Sequence, residues 1–246
     1  MLKQATAVLT IGVLAFSLAG SAWAEKSNAE AVVKKAIAAS GGEENLTKHK
    51  VWTWKQKGKF YGMGDGVDFS ATFTWAPPDK LRLEVEGFMT QVVNGDKGWN
   101  NMGGSDATEL NAQQMEEQKE TLHLRRLTAS LVPLLKDKTL KITPVADAKV
   151  DDHAAAGIKV SSTGHRDVTL YFDKDTGLLV KSETTAKTED GNVVPQETRY
   201  SDYKEFDGVK IPTKLTAKRD GKPFIEGENS DVKFSDTVDD KAFQKP

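Results

Sequence analysis

The stretch "VWTWKQKGKFYGMGDGVDFSATFTWAPPDKLRLEVEG", residues 51–87, decides the fold. Trp52, Trp54, Gln56 and Phe60 share one parity, and Thr53, Lys55, Lys57 and Lys59 take the other. After a glycine-rich turn at 62–66, Val67, Phe69, Ala71, Phe73 and Trp75 alternate with Asp68, Ser70, Thr72 and Thr74. Pro77-Pro78 breaks the run, and Leu81, Leu83 and Val85 then alternate with Lys80, Arg82, Glu84 and Glu86. Successive side chains of a strand point to opposite faces. Three such runs therefore predict an antiparallel sheet with one apolar face and one face in water.

Working outward, "MTQVVNGDKGWNNM" (89–102) reads as a hairpin, because Asn94-Gly95 favours a tight turn with positive φ. Upstream, "NAEAVVKKAIAASGG" (28–42) predicts an amphipathic helix with Asn28 as N-cap and Gly41-Gly42 as its end, and "EENLTKHK" adds a further turn. Downstream the period changes. Leu124, Leu127, Leu131, Leu134 and Leu135 recur at three-to-four spacing, so a helix is expected within 111–135, as far as about Pro133. Strand patterns resume near 139–145, 157–162, 167–173, 178–188, 193–204, 209–218 and 223–235. The expectation is a mainly β (α+β) chain of roughly ten to twelve strands with two or three helices. Nothing resembles a linker, so residues 25–246 read as one domain.

"FDKDTGLLVK" (172–181) poses a choice between a calcium loop and a turn. A helix-loop-helix calcium site places glycine sixth of twelve and glutamate last. Counted from Asp173, Gly177 is fifth and Thr184 stands last, and the flanks are strands. The segment reads as a hairpin turn, with Gly177 supplying the positive φ.

Residues 1–24 read as a secretory leader: Lys3, an apolar run, then Ala22-Trp23-Ala24 as the small-x-small site, with cleavage after Ala24. No second apolar run follows, so the mature chain is expected to be exported and soluble, with no transmembrane segment. The sequence has no cysteine. Disulfides, thiolate metal sites and a lipid-anchoring cysteine after the leader are thereby excluded. A net charge of −2 without a basic stripe argues against nucleic acid as a partner.

The search for chemistry returns little. His49, His123, His153 and His165 form no paired ligand spacing, and His123 is expected on the polar side of its helix. No nucleophile elbow or phosphate loop is present. Carboxylates sit at turns or on the polar parity of strands. No catalytic residue, metal ligand or cofactor is assigned.

The apolar face carries the functional information. Ten strands spaced about 4.8 Å apart make a sheet roughly 45 Å across. Two or three helices, each about 10 Å wide, cover at most about two-thirds of it. Trp52, Trp54, Phe69, Phe73, Trp75, Leu83 and Val85 must still leave water. Either the sheet closes into a barrel, or it curls around the helices; its interior is then an apolar hollow or is filled by side chains.

"WAPPDKLRLEVEGFMTQVVNGDKGWNNM" (75–102) resembles the core of the outer-membrane lipoprotein-sorting, LolA-like family: Pro77 or Pro78 before a strand bearing Arg82, the Asn94-Gly95 turn, and Trp99 on the return strand. "LYFDKDTGLLVK" and "YSDYKEFDGVKIPTKL" are similar to other strands of that group. The resemblance implies a curved antiparallel half-barrel with helices in its concavity. It also implies a soluble periplasmic carrier of lipid or lipoprotein acyl chains, with Trp52, Trp54, Phe69, Phe73, Trp75, Leu83, Val85 and Leu127 as candidate lining. In the family an arginine helps hold the lid. Arg82 lies on the charged parity, which leaves Arg125 and Arg126 as candidate lid contacts. Two other function classes stay open: an envelope sensor or protein-interaction module on the same shell, and a hydrolase whose site is assembled from distant residues.

Overall fold

The structure, a computed structural model, describes residues 18–188 and 190–246. Residues 1–17 of the expected leader lie outside the described residues. Among the described residues there are four α-helices: α1 (Leu18–Ala39), α2 (Gly42–Lys48), α3 (Ala112–Arg125) and α4 (Pro133–Lys136). The strands begin with β1 (Val51–Phe60), β2 (Val67–Ala76), β3 (Lys80–Val85), β4 (Met89–Asn94), β5 (Lys97–Met102) and β6 (Thr108–Glu109). They continue with β7 (Lys141–Val150), β8 (His153–Ser161), β9 (Val168–Asp173), β10 (Leu179–Lys187), β11 (Val193–Phe206), β12 (Val209–Arg219) and β13 (Lys222–Ser235). Among the described residues, no helix is long and apolar enough to cross a membrane.

All thirteen strands join one antiparallel sheet in the order β6-β5-β4-β3-β2-β1-β13-β12-β11-β10-β9-β8-β7. Nearly every neighbour follows its neighbour in sequence. The exception is β1 beside β13, which joins the first and second halves of the meander. The sheet curves but does not close, and β6 and β7 are its two edges. It is thus a mainly β half-barrel with helices laid in its concavity, one strand richer than the upper expectation.

The concave face is the apolar parity of residues 51–85. Trp52 stands opposite Trp75 and Trp54 opposite Phe73, and each pair is in ring contact, edge-on for the first and stacked at 4.8 Å for the second. Such cross-strand pairs are the unit of sheet stabilisation. The same buried cluster includes Ala29, Val33, Ala36 and Ile37 of α1, which lies against β7 and β8, together with Leu122 of α3, Leu127 and Leu131 beyond it, and Leu134 of α4.

A second, smaller cluster lies on the convex face. There Phe243, in a 3-10 turn at Asp240–Phe243, is buried with Val51, Ala76 and Val92, and Trp99 packs alongside. Arg82 belongs to this side as well, reaching Glu84 at 2.6 Å and the Ala242 carbonyl at 3.3 Å.

Several local expectations are corrected. α1 begins at Leu18, so Asn28 is an interior helical residue and not an N-cap; the helical pattern simply extends upstream. The helix expected within 111–135 is broken. α3 opens on Asn111 with a reciprocal capping box to Gln114, passes into a π-helical turn at Arg126–Ser130, and stops where Leu131 takes φ 55°; α4 then starts with Pro133 at its first turn. In the 89–102 hairpin, Asn94 pairs with Lys97, and the two-residue loop is Gly95-Asp96 with Gly95 at φ 62°. The tight turn with positive φ is thus present as read, with Gly95 in the first of its two loop positions.

The Asp173 turn is as read. One carboxylate oxygen of Asp173 accepts from the backbone N–H groups of Asp175 and Thr176 and from the Thr176 hydroxyl, and Gly177 has φ 78°.

Candidate functional site: the concave face beneath helix α3

α3 is strapped across the mouth of the half-barrel by ion pairs at both sides. Lys119 reaches Asp96 in the β4–β5 turn at 2.6 Å. On the far arm, Lys187 of β10 pairs with Glu116 at 2.8 Å, and Arg166 in the β8–β9 loop forms a two-pronged pair with Glu117. Burial alone would raise the Glu117 carboxyl; the bonds from Arg166 and the Lys187 N–H outweigh it and hold the group below its usual range. His165 and the Arg166 N–H both bond Glu120, at 2.9 and 3.0 Å. Arg126 pairs with Asp137 at 2.6 Å, tying the end of α3 to the segment after α4.

His123 is buried, contrary to the polar-side expectation, and stacks on His165 with ring centres 3.9 Å apart. Burial first, and the neighbouring His165 second, push its pKa down to about 4. α3 lacks a wholly polar side at this point because the β8–β9 loop folds against it. The paired rings border a hollow of about 260 Å³ between α3 and the β2–β3 and β4–β5 turns, lined by Pro78, Asp79, Gly95, Asp96, Lys119, Leu122, His123, Arg126 and His165.

Beneath the strap, burial changes from one register row to the next. The row Trp52–Trp75–Leu81–Val93–Gly98 is sealed. A side chain at Gly98 would start 2.6 Å from both Leu110 and the Met115 sulfur, so this end of α3 sits directly on bare backbone. In the next row, Trp54 is buried, but Phe73, Leu83, Gln91 and Asn100 are half-buried. In the third, Gln56 and Ala71 are buried, Val85 and Met89 are half-buried, and Met102 is 46% exposed. Phe69 and Phe60 beyond are half-buried, and Val67 is 50% exposed. The helices therefore cover only one end of the apolar face. From Phe73 onward it forms an apolar groove on β2 to β5 that opens to solvent.

The candidate lining residues divide accordingly. Trp52, Trp54, Trp75 and Leu127 are packed into the core, with Trp75 and Leu127 at 0% exposure. Phe69, Phe73, Leu83 and Val85 line the groove. Periodicity placed all seven strand residues on one face but carried no information on which of them α3 covers. Met89 and Met102 join the groove by register across β4 and β5; their shared parity with Gln91 and Asn100 diluted the apolar signal in the sequence.

The two candidate lid arginines part ways. Arg126 is taken up by Asp137. The Arg125 guanidinium lies over the stacked pair, 4.7 Å from the Trp54 ring centre and 5.5 Å from that of Phe73. Burial pushes its pKa down to about 10, and Tyr200 of β11 opposes that effect. Its Nε is buried without a hydrogen-bond partner. Tyr200 meanwhile shares a 2.9 Å hydrogen bond with Ser182, and burial raises its pKa.

A further hollow of about 570 Å³ lies elsewhere. Charged residues of β1, β2, β12 and β13 on the outer parity border it, among them Lys57, Lys59, Asp68, Lys214, Glu226 and Glu228, together with the intervening register row Phe69–Gly58–Gly227–Leu215, which shares the parity of Trp54 and Phe73. Most of its side chains are charged, which sets it apart from the apolar side chains of Phe73, Leu83 and Val85.

An open antiparallel half-barrel with helices set in its concavity is the LolA-like fold. Similar solved structures are a LolA superfamily protein from Nitrosomonas europaea (TM-score 0.60, 13% identity, 88% of this chain and 97% of that one) and a DUF1329 family protein from Desulfovibrio piger (TM-score 0.61, 11% identity, 88% and 97%). A domain assigned as an outer membrane lipoprotein-sorting protein from Vibrio parahaemolyticus is similar as well (TM-score 0.58, 10% identity, 89% and 97%). At these identities the likeness is one of fold. No family profile and no curated protein matches the chain.

Proposed function

We propose that this chain is an exported periplasmic carrier that binds a lipid or lipoprotein acyl chain, without catalysing a reaction. Residues 1–24 would be its cleaved leader and 25–246 its single lipid-binding domain. The observation that supports this most is the burial gradient on the concave face. Leu83, Val85, Phe69 and Met89 are large apolar side chains in adjacent registers that α3 leaves half in water. An acyl chain laid on them gains about 0.8 kcal/mol for each buried methylene.

α3 serves as the cover in this reading. Arg125 on the Trp54–Phe73 pair is its contact with the sheet, and Arg126–Asp137 its hinge-side tie. The fold of the similar solved structures agrees with such a role.

Native mass spectrometry of the protein purified from an exporting host, followed by solvent extraction, tests the proposal. A lipid or acylated peptide travelling with the protein is the expected result. A bare mass that stays unchanged after incubation with lipids overturns it and favours a sensor or protein-interaction module on the same shell.

A further inference from the structure

Among the described residues, one arginine differs from the other five. Arg82, Arg126, Arg166 and Arg199 each have a carboxylate partner, in Glu84, Asp137, Glu117 and Glu197. Arg219 stacks on Phe224 and donates from Nε to Gln196 at 2.9 Å. Arg125 has two aromatic rings within 5.5 Å of its guanidinium and a buried Nε with no acceptor. Among the described residues, no ion pair or hydrogen bond reaches its guanidinium.

Arg125 is half-buried as a residue, with its Nε shut off from water, and cation–π contact recovers only part of what that desolvation costs. Such a donor can take an anion, and guanidinium geometry suits the two oxygens of a carboxylate or phosphate.

The position of Arg125 is as telling as its lack of a partner. It stands over the Trp54–Phe73 row, where the sealed core ends and the open groove begins. From that row the groove continues along β2 past Ala71 to Phe69, four residues or about 13 Å of strand away, and sideways to Leu83 and Val85. A charged head at Arg125 thus leaves an apolar tail on apolar side chains with its far end at the open rim.

We propose that Arg125 is a headgroup anchor: the groove takes an acyl chain whose head is an acid, carboxylate or phosphate, with the anion held by the guanidinium above Trp54 and Phe73. This rests on the acyl-carrier reading and narrows it to anionic amphiphiles.

Three molecules with the same chain separate the possibilities: oleate, oleyl alcohol and oleoyl lysophosphatidate, each used to displace the neutral dye Nile red from the purified protein at pH 7.5. One charge-assisted hydrogen bond predicts that at least one acid displaces the dye at about tenfold lower concentration than the alcohol. The tighter acid tells whether the source is a free fatty acid or a phospholipid. Arg125→Met should lose the acid-over-alcohol preference, and Arg125→Lys should keep part of it. Equal displacement by acids and alcohol in the unmodified protein, or a preference that survives Arg125→Met, overturns the anchor and leaves the carrier reading standing. No displacement by any of the three overturns both. If Arg125→Met does not fold, the acid–alcohol comparison in the unmodified protein and Arg125→Lys decide.

Discussion

The His123 and His165 rings lie parallel, within 4° and 3.9 Å of each other, where α3 meets the β8–β9 loop. Two imidazolium ions do not tolerate that stacking. His123 is pushed down to about 4 by burial and then by His165, with Glu120 and Asp137 pulling the other way and Arg126 adding to the depression. The unfolded chain binds this proton near pH 6.5. The contribution of His123 to stability is therefore complete above about pH 6.5 and is lost as pH falls toward 4. We expect the melting temperature to fall more between pH 7 and pH 4.5 in the native sequence than in His123→Phe, which keeps a stacking ring without the proton. Parallel pH profiles for the two would show that the pair does not govern the strap.

Gly41 joins α1 to α2 at φ 121°, and a Cβ there would lie 2.0 Å from the Gly208 carbonyl oxygen in the β11–β12 turn. Gly42, at φ 85°, faces open space. Backbone strain alone is worth roughly 1–3 kcal/mol at either position, and the clash adds to it only at Gly41. Urea unfolding should show Gly41→Ala losing clearly more stability than Gly42→Ala. Equal losses would mean that the helix–turn contact is looser than it looks.

The burial gradient makes opposite forecasts for two residues on one face. Trp75→Ala, at a fully buried site, should cost about 3–5 kcal/mol. Leu83→Glu lies in the half-buried row and should leave a folded protein that no longer takes up lipid. Normal lipid uptake by folded Leu83→Glu would place the acyl site elsewhere.

Asp137 is held down to about 2 by the Thr139 hydroxyl first and by Arg126 second. Arg126→Met should raise its pKa while leaving it under the ordinary carboxylate value, because the Thr139 bonds remain. The stability that Asp137 confers is present above about pH 3.9 and lost as pH falls toward 2, so the variant loses it at a higher pH. Carboxyl NMR titration of both proteins checks the order of the two causes. An unchanged Asp137 pKa would show that Arg126 does not tie α3 in solution.

The sheet was legible because strand parity is a local property. Trp52, Trp54, Phe73, Trp75, Leu81 and Leu83 alternate with charged and hydroxyl residues, and alternation needs no partner to be read. The same locality explains the Asp173 turn. The break at Leu131 was not legible, because leucines at helical spacing continue on both sides of it. Neither was the convex cluster around Phe243, which draws on Val51 and Val92, residues that local pattern assigned to no face. His123 was misplaced for a related reason: its burial comes from the β8–β9 loop, more than forty residues away in the chain.

By itself, then, the sequence determined an antiparallel meander with one apolar face, its main turns and its lack of cysteine, all consequences of side-chain period and residue type. Only the tertiary structure decided that the sheet stays open, because closure depends on whether β6 and β7 meet at the edges. It also decided which apolar residues α3 seals and which it leaves in a groove, and it set Arg125 apart from Arg126. Adjacent residues on a helix point about 100° apart, so one found Asp137 while the other was left over Trp54 and Phe73 without a counter-ion.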